Sequence, residues 1–175
     1  MTTERDRGDL PAPQMVRCDE NPSHVYTPLH LALRDMRRAN GRDLVTGAGT
    51  GNESWTGLAL GMIVLDSMTG STGEVGERWR RLLTKRSISS QDADLIYAIR
   101  NAVLHGYYFP KPAKAAGRIV VYTGSQDAPA LDTETDGHAQ LSVPIFCGRL
   151  VERVAAESSD SWDTSLISTN YQLPT

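Results

Sequence analysis

Residues 100–105 read RNAVLH, an arginine and a histidine five positions apart with an asparagine directly after the arginine. These residue types suit work on a phosphodiester. A histidine, with an ordinary pKa near ~6.5, moves a proton at neutral pH. A guanidinium grips two phosphate oxygens and offsets charge that builds up in a transition state. RNA is the polymer this set favours, because the ribose 2′-hydroxyl attacks the adjacent phosphorus and brings its own nucleophile. On that reading Arg100 and His105 carry the chemistry, and Asn101 orients the histidine or donates to phosphate. Tyr107, beside Arg100, positions RNA or donates a hydrogen bond. A lone histidine on a helix is more often a surface or core residue, and one Arg-x4-His arises by chance, so the surroundings decide the weight of the motif.

The element that must present these groups is a helix from about Gln91 to Tyr107. Ser89 or Ser90 caps it, and Asp92 and Asp94 suit its positive end. Advancing 100° per residue from Leu95 puts Ile96, Ile99, Ala102, Val103 and Gly106 on one apolar arc. Arg100, Asn101, Leu104, His105, Tyr97, Tyr108 and Asp94 fall on a second arc that mixes aromatic, aliphatic and polar groups. Such a composition suits a docking surface. Arg100 lies about 140° from His105 on a straight helix, so the two flank a groove rather than stack. Loosening of the helix before Gly106 would bring them closer. If this face meets its own copy across a two-fold axis, two Arg/His sets line one cleft.

Charge is distributed unevenly around this helix. Residues 1–77 hold 7 basic and 11 acidic groups, residues 78–118 hold 9 and 2, and residues 119–175 hold 2 and 8. The balances of −4, +7 and −6 sum to the net −3. A basic zone inside an acidic chain directs a polyanion to one place. Arg80, Arg81, Lys111 and Lys114 are the candidate RNA contacts from this zone, together with Tyr107 and Tyr108.

Around the central helix the pattern predicts a mainly α protein. Residues 1–21, rich in Pro and charge, are expected to be disordered. A helix is expected from Ser23 to Gly41, with Pro28 in its first turns. Glu53 to Met68, containing WTGLALGMIVLDSM, is apolar on nearly every side and should be central. Its Gly57 and Gly61 would let a neighbouring helix come close, and Asp66, its one internal charge, should be paired or near an end. ERWRRLL, residues 77–83, is a short basic helix. RIVVYTG (118–124) and HAQLSVPIF (138–146) read as two strands of a small β-hairpin joined by an acidic loop. A further helix is expected over Gly148 to Glu157, then a polar tail over 159–175.

Several chemistries are disfavoured. His24, His30, His105, His138, Cys18 and Cys147 lack metal-ligand spacing, so neither metal nor cofactor is expected. GAGTG (47–51) has the wrong glycine spacing and no preceding strand for a dinucleotide fingerprint. No P-loop, Gly-x-Ser-x-Gly or HExxH occurs. With two cysteines, no apolar span and no signal-like N-terminus, a cytoplasmic protein that does not enter a membrane is expected.

RNAVLHGY also resembles the motif of the HEPN superfamily, Arg-x4–6-His with a polar residue after the arginine, in its Arg-x4-His-x-Tyr form. The resemblance covers about residues 24–110, including the apolar helix and the short basic helix, within a bundle expected over 22–110. It implies an up-and-down helical bundle, a homodimer with a composite cleft, and a metal-independent endoribonuclease of the toxin or phage-defence kind. By position Arg100 and His105 would be catalytic and Asn101 supporting. Tyr107 would be the tyrosine that a nucleotidyltransferase-type antitoxin AMPylates. The segment 111–158, with its strands and extra helix, departs from the compact bundle and is expected to pack on it. The competing expectations are a HEPN-like module that binds RNA or a nucleotide without cutting, and a structural dimerisation domain.

Overall fold

The computed structural model describes residues 28–43, 55–70, 72–106, 108–125, 128–134 and 137–157. The expected disordered N-terminus, the helix start at Ser23, the polar tail and Tyr107 lie outside the described residues. What is described is mainly helical with one small sheet. In order come α1 (Pro28–Ala39), α2 (Trp55–Met68), α3 (Val75–Thr84) and α4 (Ser90–Gly106). A 3₁₀ turn (Pro112–Lys114) leads into β1 (Ile119–Thr123), β2 (Leu131–Asp132) and β3 (His138–Ser142). The last segment is α5 (Val143–Ile145), a π-helical stretch (Phe146–Val151) and α6 (Glu152–Glu157) without a break.

The apolar run of α2 puts it at the centre. Leu58, Met62, Val64 and Leu65 are wholly buried. The two glycines expected to permit close approach do so. A Cβ on Gly61 would sit 3.3 Å from Met36 of α1 and from Cys147 and Val151 of the π stretch. A Cβ on Gly57 would fall 2.4 Å from the buried Asn40 side chain. The C-terminal helical segment therefore completes the same core as α1 and α2. An ion pair locks that arrangement: Arg37 Nε and Nη2 donate to the two carboxylate oxygens of Glu152 at 2.7 and 2.6 Å. Both side chains are buried, so each needs the other to offset desolvation.

Two expectations need correction. The strands do not form a hairpin: β1 runs parallel to β3, from Ile119 opposite His138 to Thr123 opposite Ser142. The connection between them is long enough to carry the chain back, as a parallel pair requires. Within it Leu131 and Asp132 form β2, antiparallel on the far side of β3, giving the order β1-β3-β2. The second strand also ends earlier than residue 146. Ser142 is an N-cap whose Oγ accepts from Ile145 N–H at 3.3 Å. Pro144, lacking an N–H, suits the first turn of a helix. The last helix thus begins at Val143, before Gly148.

Candidate functional site

α4 begins where a cap forms. Ser89 Oγ accepts the Asp92 N–H at 3.0 Å and donates to the Asp92 carboxylate at 2.8 Å. Thr133, just past β2, also reaches Asp92 at 3.4 Å. The apolar arc lands in the core: Leu95, Ile96, Ile99, Ala102 and Val103 are buried, as is Ala93. Gly106, assigned to that arc, is exposed because it ends the helix. α3 packs on the N-terminal half through Trp79 and Leu83. The Trp79 ring lies 6.3 Å from that of Tyr97.

The second arc carries a connected polar set. Arg100 Nη1 lies 3.1 Å from His105 Nε2 and donates to Asn101 Oδ1 at 2.9 Å. Its Nη2 donates to Asp66 Oδ2 at 2.6 Å. The other oxygen of Asp66 accepts from the Trp79 indole N–H at 2.7 Å. A buried indole thus fixes a carboxylate, the carboxylate fixes a guanidinium, and the guanidinium reaches the imidazole. Sequence spacing alone left the 140° offset between Arg100 and His105 unbridged. No loosening is needed, because the helix is continuous through Gly106. Five residues rise only ~7.5 Å, which the arginine side chain spans. The Arg100 side chain is 12 % exposed and that of Asp66 33 %, while His105 is exposed. Arg100 Nε is buried with no hydrogen-bond partner, so the guanidinium still has an unfilled donor.

Arginine can only donate, so His105 Nε2 accepts here.

The remaining predicted residues are disposed differently. Tyr108 folds over the end of α4: a Cβ on Gly106 would lie 1.6 Å from its ring. Lys111 and Lys114 are exposed on the strip that follows. Arg80 pairs with Asp94 at 2.8 Å. Asp94 shares the stripe of Asn101 and His105, because separations of 7 and 11 residues return to one side of a helix. Arg81 is turned away, donating to Thr72 O at 2.7 Å. Tyr107 is outside the described residues. The residue that sequence reasoning missed is Asp66. Its signal was a single carboxylate in an otherwise apolar helix, which demanded a partner without saying which.

Other reactive groups are differently disposed. Burial pushes the Cys147 thiol up to about 12, which suits a packing role rather than a nucleophile. Among the described residues no three His, Cys, Asp or Glu side chains converge, and no helix is long and apolar enough to cross a membrane. No protein-family model, curated protein or solved structure matches the chain.

Proposed function

We propose that the protein is a metal-independent endoribonuclease of HEPN type, acting in toxin or phage-defence biology. The observation that carries this reading is the 3.1 Å approach of Arg100 Nη1 to His105 Nε2, supported from behind by Asp66. The substrate's 2′-hydroxyl attacks phosphorus, the new 2′-O–P bond forms and the P–O5′ bond breaks. When substrate replaces Arg100 at His105 Nε2, that nitrogen takes the 2′-hydroxyl proton, and the departing O5′ takes one from the second imidazole of a dimer or from water. Arg100 leans on the non-bridging oxygens, where negative charge accumulates. Asn101 holds the guanidinium's orientation. Ile63, 41 % exposed on α2, adds apolar surface for a second copy to cover and so form the composite cleft. Tyr107 is the position for AMPylation by a nucleotidyltransferase-type antitoxin.

A specific observation favours a second reading, a HEPN-like module that binds RNA or a nucleotide, or dimerises, without cutting. Both terminal nitrogens of Arg100 already have partners within one copy, as in a group that holds structure. Cleavage of RNA in excess chelator separates the two. The ribonuclease reading expects products ending in 2′,3′-cyclic phosphate, lost in His105→Ala and in Arg100→Ala. Cutting that persists in both variants removes it.

A further inference from the structure

Beyond the Arg100 site, the strip that leaves α4 carries an exposed aromatic cluster. The Phe109 ring stacks on Tyr122 of β1, with centroids 4.8 Å apart and planes 27° apart. Trp55 of α2 closes on both, edge-on, at 5.6 and 5.1 Å. Tyr122 is the embedded floor of this stack: burial pushes its hydroxyl well above the ordinary range. Phe109 is the open top, 52 % exposed. Ile119 and Val121, on the outward side of β1, are 53 % and 38 % exposed. Phe109, Lys111, Ile119, Val121 and Tyr122 line one groove of about 630 Å³.

Leaving this much aromatic and aliphatic surface in water costs free energy unless something covers it. The charges around it select the occupant. Residues 108–125 carry Lys111, Lys114 and Arg118 and no acidic residue. A ring backed by a second ring, with a cation, Lys111, as the one charged residue of the groove lining, is how unpaired nucleobases and their phosphates are held together. A duplex hides its base faces and gains nothing from such a ring. The location also fits. Phe109 is four residues past His105, so its backbone lies within ~14 Å of that of the histidine.

We infer that Phe109, stacked on Tyr122 beside Lys111 and followed by the exposed Lys114, is a base-stacking platform for single-stranded RNA that seats the strand running past His105. This deepens the ribonuclease reading and rests on it for the choice of RNA, but its test is a binding test. The probe is a short fluorescein-labelled single-stranded oligoribonucleotide. Its anisotropy is measured with the full chain, with a blunt duplex of the same sequence as comparator.

Phe109→Leu keeps apolar area and removes the ring. It is expected to weaken single-strand binding on the order of 5- to 100-fold, with the duplex unaffected. Lys111→Glu with Lys114→Glu, both at exposed positions and so without a folding penalty, is expected to weaken binding and flatten its salt dependence. Single-strand affinity unchanged in both variants overturns the platform, including the case in which the groove serves a protein partner. If His105→Ala abolishes cleavage while both platform variants bind normally, the platform falls and the ribonuclease reading stands. If no RNA is cut but binding still depends on Phe109, the ribonuclease reading falls and the platform stands.

Discussion

Asp66→Asn isolates the feature that holds the site together. The substitution keeps the shape of the side chain, and its remaining carbonyl can still accept from the Trp79 indole. It removes the negative charge facing Arg100 Nη2, now at 2.6 Å. A hydrogen bond to a charged partner contributes about 1.5–3 kcal/mol. Asp66 stands at the edge of solvent, which screens the pair, so a loss of about 1–2 kcal/mol of stability is expected. For a chain of this size that lowers Tm by roughly 2–8 °C. The functional effect should be separate. An arginine no longer pinned by Asp66 leaves the orientation in which Nη1 meets His105, and single-turnover RNA cleavage should fall roughly 10- to 100-fold, ~1.4 kcal/mol for each factor of ten. A double-mutant cycle of Asp66→Asn with Arg100→Gln, read by urea denaturation, should return a coupling of about 1–2 kcal/mol. Additive effects in that cycle, with a wild-type Tm for Asp66→Asn alone, would refute the reasoning: the carboxylate would then be a bystander.

Three further outcomes follow from the packing. Gly57→Ala drives a methyl into the buried Asn40 side chain and should cost about 1–3 kcal/mol, seen as a lower urea midpoint with an unchanged m value. Arg37→Met strands the Glu152 carboxylate in the core and should cost about 3–5 kcal/mol, whereas adding Glu152→Leu should restore most of it; a double variant as unstable as the single one contradicts this. Because burial holds the Cys147 thiol up at about 12, the reactive thiolate forms only as pH approaches that value. Iodoacetamide at pH 8 should leave Cys147 unlabelled in the native protein and label it in urea, as mapped by peptide mass spectrometry.

Much of the helical framework was legible because it rests on local signals. The apolar run of α2 and the 3.6-residue period of α4 predicted which side chains lie inside, and the serines before α4 marked its start. The catalytic candidates Arg100, Asn101 and His105 were legible as a spacing, but their connection was not. It depends on Asp66, 34 residues earlier, and on a rotamer that periodicity does not specify. The buried Arg37 was hidden in a basic helix end, since its partner Glu152 comes 115 residues later. The sheet failed for a related reason. Alternation in RIVVYT and HAQLS identifies strands but not their direction, which the path of the intervening chain decides. VPIF looks like strand because it is apolar and β-branched, yet Ser142 and Pro144 together make a helix start.

The most direct test is an RNA cleavage assay in excess chelator with the wild-type chain, Arg100→Ala and His105→Ala, resolving the chemistry of the new ends. The account predicts 2′,3′-cyclic phosphate products from the wild type and a loss of at least about a hundredfold in each variant, as removal of general acid–base catalysis by His105 and of charge stabilisation by Arg100 implies. Equal cleavage by all three proteins, or none by any of them under conditions where the chain binds RNA, would contradict it.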